Sequence, residues 1–166
     1  MRRRGGPPRP GGTGSRAVVP AGLGAPLGMY SHGVVAQAAE LVVVAGQVGM
    51  DGKGQLAGPD VVAQTRQALE NVRAVVEAAG ARMRDVVRFQ TFLTRAEDIP
   101  GFMKARADVF PGYFPDGVYP PNTLLVVSRL VRPELLVEIE ALAIVPRRNG
   151  AARRRQASRR TPPRKR

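Results

Sequence analysis

Two short runs, Leu41-Val-Val-Val-Ala45 and Leu124-Leu-Val-Val127, are apolar without alternation. A strand with one wet face alternates, whereas a strand apolar at consecutive positions is covered on both sides. The chain therefore needs a sheet buried on two faces, and its helices are few. From Asp60 the period lengthens: Val61, Thr65, Ala68, Leu69, Val72, Val75, Val76 and Ala79 lay one apolar stripe along a helix. Asp60 fits its N-cap and Gly80 its C′ position. A second, shorter helix follows Asp98, with Phe102, Ala105, Arg106, Val109 and Phe110 at helical spacing and Pro111-Gly112 as its expected stop. Two helices cover one face of a sheet; the other face is left to a second copy of the chain.

The remaining pattern is strand and turn. Val34 to Ala39 is expected to pair with Leu41–Ala45 as a hairpin, and Asp51-Gly-Lys-Gly54 is turn chemistry. Val86 to Thr94 reads as a strand rich in Val, Phe and Thr. A Pro-rich loop through Tyr119-Pro120-Pro121 leads to strands over Thr123–Ser128 and Leu136–Ile144. Strands, helix, strand, helix and two strands make an α+β layer, with helices against one face of a mixed sheet.

Charge divides the chain into three. Of 26 basic residues, residues 1–16 carry five and residues 147–166 carry ten, with no acid in either segment. The stretch between them keeps 11 bases against all 13 acids, a net of −2. The overall +13 thus belongs to the ends, and residues 1–15 and 147–166 are read as disordered basic tails around a domain at 16–146. Weak, non-specific attraction to polyanions is the expected property of the tails. The arginines of the first segment are not followed by an apolar stretch of roughly 7–15 residues, so no secretory signal is read and a cytoplasmic location is expected. The longest apolar run falls far short of the ~20 residues of a membrane span. With no cysteine, disulfides and thiolate metal sites are excluded, and with one histidine, His32, so is a histidine-based zinc site. His32 itself reads as a hydrogen-bonded loop residue.

Five segments then occur in an informative order: Tyr30-Ser-His-Gly-Val34, Val44-Ala-Gly-Gln47, Gln64-Thr-Arg-Gln-Ala-Leu-Glu-Asn71, Phe110-Pro-Gly112 and Val137-Glu-Ile-Glu-Ala-Leu-Ala143. Together they resemble the Rid (YjgF/YER057c/UK114) family, and the resemblance spans roughly Arg16 to Pro146. It implies a chorismate-mutase-like fold, with two helices packed on one face of the mixed sheet and trimerisation through the other. It also implies a homotrimer with clefts between subunits, and no metal or organic cofactor. In the active deaminases of that family a 2-imino or enamino acid enters the cleft, water attacks the imine carbon, ammonia leaves and a 2-keto acid results.

By the resemblance Glu138 is the residue that positions or activates water, a task one carboxylate can perform. Tyr30, Ala45, Gly46, Phe92, Asn122 and Leu124 are the substrate-binding candidates. Glu138 and Glu140 face the same way, so alternation alone does not separate a cleft glutamate from a solvated one. Tyr30 serves equally as a packing residue, Asn122 as a turn residue after Pro121, and Gly46 as a bulge or close-approach glycine. The sequence departs from the family where the substrate carboxylate is clamped: the family's arginine position is Asn122, in Pro-Pro-Asn-Thr. Ala45 and Leu124 likewise stand where hydroxyl or thiol residues are common. Arg129 is expected to make a structural ion pair rather than replace the clamp.

Three functions follow. One is hydrolytic deamination of an imine or enamine metabolite that differs from the simple 2-imino acids. A second is a non-catalytic, small-molecule-binding trimer of the same fold. The third, a nucleic-acid protein, is opposed by the net negative domain and the single histidine. Removing residues 1–15 and 147–166 should leave the melting temperature nearly unchanged, because neither segment has apolar surface to bury, and should abolish most retention on a polyanion column. Tight RNA binding by the trimmed domain at physiological salt would show that the basicity had been assigned to the wrong part of the chain.

Overall fold

A computed structural model of the protein describes residues 16–18, 20, 28–35 and 40–146. The basic ends lie outside the described residues, as do 36–39. Eight elements follow in chain order: β1 (Arg16–Val18), β2 (Gly33–Val35), β3 (Glu40–Val48), α1 (Val61–Ala78), β4 (Val86–Leu93), α2 (Ile99–Tyr113), β5 (Asn122–Val126) and β6 (Val137–Val145). The main sheet has the order β3-β6-β4-β5. Its only parallel pair is β4 with β5, joined by the crossover through α2, while β6 is antiparallel to both β3 and β4. The mixed α+β architecture expected from the pattern is present.

Two expectations are corrected. Gly33–Val35 pairs with Arg16–Val18 and not with β3. The neighbour of β3 is β6, nearly a hundred residues away, because the long apolar strand β6 offers a full-length partner. And α2 runs through Pro111-Gly112 to Tyr113. Proline there removes one hydrogen bond in the last turn only, and the Phe114 N–H closes the helix on the Phe110 carbonyl at 2.8 Å. Phe89, Phe110, Phe114 and Tyr119 pack together across that end, with ring centroids 5.1–6.3 Å apart.

α1 starts at the Asp60 cap, whose side chain accepts from the Ala63 N–H at 2.9 Å, and ends before Gly80 in the left-handed region at φ 86°. Its stripe covers one face of the sheet: Leu69, Val72 and Val76 pack with Val44, Phe89, Leu93 and Ile139. On the opposite face Leu41 and Val43 of β3 remain 59 % and 69 % exposed, and Leu125 is exposed on the other edge strand, β5. These are side chains of the two runs that demanded a second cover.

The joint between α1 and the sheet is polar. Gln64 is fully buried. Its Nε2 donates to the carbonyls of Gly58 (3.1 Å) and Glu134 (3.0 Å), and its Oε1 accepts from the Leu136 N–H at 2.9 Å. About two turns later, Asn71 Nδ2 donates to the carbonyls of Val48 (3.0 Å) and Met50 (2.8 Å). Gly49 makes this approach possible, since a Cβ there would lie 2.6 Å from the Gln64 Cα. Gln64→Leu, close in volume, strands three backbone groups. At roughly 1–3 kcal/mol per buried unsatisfied group, with partial relaxation, chemical denaturation should register a loss of about 3 kcal/mol. A loss below about 1 kcal/mol, within the range of an ordinary surface change, would mean the joint is held by the apolar stripe alone.

Candidate active site

β3 is irregular where the site candidates fall. Val44 pairs with Ala141 and Gln47 with Ile139, so Ala45 and Gly46 together oppose Glu140. Two residues against one is a β-bulge, which bends a strand and redirects its side chains. Ala45 is exposed on it. Gly46 lies under Glu138: a methyl group at position 46 would meet the carboxyl carbon of Glu138 at 2.6 Å. Glycine leaves room for the glutamate in its present position, because the Glu138 side chain already fills the space. Phe92 of β4 is the direct cross-strand neighbour of Glu138. Alternation puts Val137 and Ile139 in the core and Glu138 on the face away from the helices, half-buried. Glu138, Gly46 and Phe92 are thus brought together, with Ala45 at their edge.

Asn122 and Leu124 are placed elsewhere. They head β5, whose register sets Asn122 beside Phe89 and Leu124 beside Thr91, both core-facing positions of β4. Leu124 packs against the hydrophobic core. Asn122 is a strand residue rather than a turn residue, and its Oδ1 accepts from the buried Thr91 hydroxyl at 2.9 Å. Both therefore lie on the helix side of the sheet, across it from Glu138. Met29, which precedes Tyr30, packs on the core on that side and offers its carbonyl to Arg106 of α2. Within one protomer the candidates form two groups on opposite faces.

Other expectations resolve differently. Arg129 makes no ion pair among the described residues; its Nε donates weakly to the Leu130 carbonyl at 3.4 Å. A residue in an irregular segment beside exposed Val131 has no carboxylate held within reach. Among the described residues the buried Nδ1 of His32 has no hydrogen-bond partner, whereas the sequence reading expected a bonded loop residue. No group of three or more His, Cys, Asp or Glu among the described residues is arranged to hold a metal, and no helix there is long and apolar enough to cross a membrane.

The structure adds one group that charge counting passed over. Arg106 lies on the inward face of α2 and is only 3 % exposed. Its guanidinium carbon stands 4.3 Å from the Phe110 ring centroid and 5.5 Å from that of Phe102. Burial brings its pKa down to about 10, which leaves it charged at neutral pH. A second ionic cluster, Glu70, Arg73, Glu77 and Tyr113, lines a 480 Å³ hollow on the outer side of the helices. The Tyr113 hydroxyl donates to Glu70, and burial together with that carboxylate raises the phenol's pKa. Arg73 already neutralises both glutamates.

A mixed sheet with two helices on one face and a glutamate seated on a glycine bulge is the arrangement of a Rid-type α+β domain. The comparisons agree. The family model described as Endoribonuclease L-PSP matches residues 23–145. A RutC family protein of Pyrococcus horikoshii is 37 % identical over 71 % of this chain and 88 % of its own length. The 2-iminobutanoate/2-iminopropanoate deaminase of Salmonella typhimurium is 33 % identical over 78 % of this chain and 98 % of its own. Among solved structures, the Rid-family protein YyfB of Yersinia pestis superposes with a TM-score of 0.68 at 32 % identity, over 78 % of this chain and 98 % of that one. The chain belongs to the Rid (YjgF/YER057c/UK114) family.

The contact between Gly46 and Glu138 is directly testable. Gly46→Ala should fold normally, because the atoms it meets belong to a flexible side chain, but its crystal structure should show the Glu138 carboxylate displaced from the bulge. A variant with Glu138 unmoved would contradict the close packing.

Proposed function

We propose that this chain is a homotrimeric imine or enamine deaminase whose substrate differs from the simple 2-imino acids. The observation that carries the reading is Glu138, a carboxylate seated on the Gly46 bulge beside Phe92, on a sheet face that is otherwise rich in exposed apolar side chains. Such a face favours burial against further copies. Packing copies together lets the Glu138 group of one protomer meet the Asn122, Leu124 and Tyr30 group of the next, so that each cleft draws on two chains. There Glu138 orients a water toward the imine carbon. Attack forms the C–O bond, protonation of the nitrogen releases ammonia, and the carbonyl product remains.

The relative from Salmonella typhimurium is named for 2-iminobutanoate and 2-iminopropanoate. Here position 122 is a neutral amide whose oxygen already takes the Thr91 hydroxyl. A neutral amide binds a carboxylate about half as strongly as a guanidinium fork does. That difference supports an altered substrate. It also favours a second reading, a trimer that binds a small molecule without turning it over.

Light scattering of the purified chain should give three times the monomer mass, and a stable monomer at micromolar concentration would remove the shared cleft. Keto-acid release from 2-iminobutanoate generated in place should barely exceed the spontaneous rate. Asn122→Arg should raise it, and adding Glu138→Gln should abolish the gain. Strong activity in the unmodified protein would contradict the altered substrate, and no gain in a folded, trimeric Asn122→Arg variant would favour the binding protein.

A further inference from the structure

Asn122 holds its amide in one orientation. Thr91 is 1 % exposed, and its hydroxyl donates to Asn122 Oδ1 at 2.9 Å. Among the described residues that hydroxyl has no other hydrogen-bond partner. A hydroxyl can donate or accept, whereas the two ends of an amide are distinct. Were Nδ2 turned toward Thr91, the hydroxyl proton would be left in the core without an acceptor, and buried polar groups are rarely left so. The oxygen therefore faces Thr91 and the NH2 group turns away from it. Asn122 itself is only half-buried, at the head of β5. Among the described residues its Nδ2 has no acceptor, yet, unlike the Nδ1 of His32, this nitrogen is not closed off from solvent. Two fixed donors thus open at the surface.

Charge decides what those donors can take. Glu138 alone of the proposed cleft residues carries a formal charge. Arg106, on the helix side of the sheet, offers no accessible cation: it is 3 % exposed, holds the Met29 carbonyl and lies against the rings of Phe102 and Phe110. An anionic ligand would bring a second negative charge beside Glu138 with no cation to offset either, between the apolar side chains of Phe92 and Leu124. A neutral carbonyl oxygen asks only for the amide donors that Asn122 holds out. The protonated imine is then the one charge on the ligand, and its sign is opposite to that of Glu138.

We infer that Thr91 is a positioning residue in the shared cleft proposed above, a reading on which this assignment rests, and that it aims the Asn122 amide so that the cleft selects an imine bearing a neutral carbonyl group, an amide or an ester, in place of a carboxylate. In the reaction the water oxygen bonds to the carbon of the protonated imine, the C–N bond breaks, and both water protons end on the nitrogen. One iminium and one water give one ketone and one ammonium, while the neutral carbonyl stays on the Asn122 donors throughout.

Titration of the full-length protein with 2-oxobutanamide and 2-oxobutanoate, ketones that differ only in this group, reads the selection. The amide should bind about tenfold or more tighter than the acid, about one decade in Kd. Asn122→Asp keeps an acceptor for Thr91 but has no N–H, and should weaken binding of the amide about tenfold. Thr91→Val, matched in volume, should shrink the amide-to-acid ratio about threefold or more, and Thr91→Ser, which keeps the hydroxyl, should hold it. That ratio is a quantity that a mere packing role for Thr91 would leave alone. Should Asn122→Asp fail to fold, the two Thr91 variants carry the test. Binding of the acid as tight as that of the amide, binding of neither ketone, or a ratio unmoved by Thr91→Val would overturn the assignment. Selection of the amide without any imine hydrolysis would keep this assignment and remove the deaminase, and imine hydrolysis with a preference for the acid would do the reverse.

Discussion

The structure depends on a buried amide. Gln64 occupies an inward position of α1, where an apolar residue would have completed the stripe, and instead spends its three hydrogen bonds on Gly58, Glu134 and Leu136. Those backbone groups belong to the loop entering α1 and the loop entering β6. The start of β6 is therefore fixed relative to α1 two residues before Glu138. Asn71 does the same for the end of β3, just past the Gly46 bulge. Hydrophobic packing alone is tolerant of small slips, whereas a fully satisfied amide specifies one arrangement. The position of the glutamate over its glycine follows from two side chains on a helix that does not itself contribute to the site.

Periodicity made the larger elements legible. The α1 stripe, its Asp60 cap and its Gly80 terminus were readable because each local signal agreed with the next. The bare apolar runs identified β3 and β5, and the exposure of Leu41 and Val43 is the physical residue of that pattern. Pairing was harder. Local sequence suggested that Val34–Val35 would turn back on β3, but strand partners are chosen by length and by what the helices bring together. The end of α2 was misplaced because proline is costly in the middle of a helix and cheap in its final turn.

The site was legible only through the resemblance. Alternation could place Glu138 and Glu140 on one face but could not tell them apart; the bulge at Ala45–Gly46 does, since no side chain stands beneath Glu138. Nor could sequence show that Asn122 and Leu124 turn to the opposite face of the sheet from Glu138, because that depends on the register of β5 against β4. Arg106 was already placed on the inward side of α2 by its spacing with Phe102 and Phe110. A charged residue at such a position was the available signal, and the net charge of the domain, dominated by its surface, concealed it.

The bulge in β3 has one more effect. β3 and β5 are the outer strands of the main sheet, and an outer strand presents backbone donors and acceptors to any extended chain that drifts alongside. On β3, among the described residues, that invitation is combined with bare Leu41 and Val43, a dangerous conjunction of sticky side chains and unoccupied backbone. Ala45 and Gly46 break the regular spacing of those backbone groups halfway along the strand. The irregularity that seats Glu138 thus also spoils β3 as a template for uncontrolled growth, so that straightening it would endanger solubility as well as chemistry.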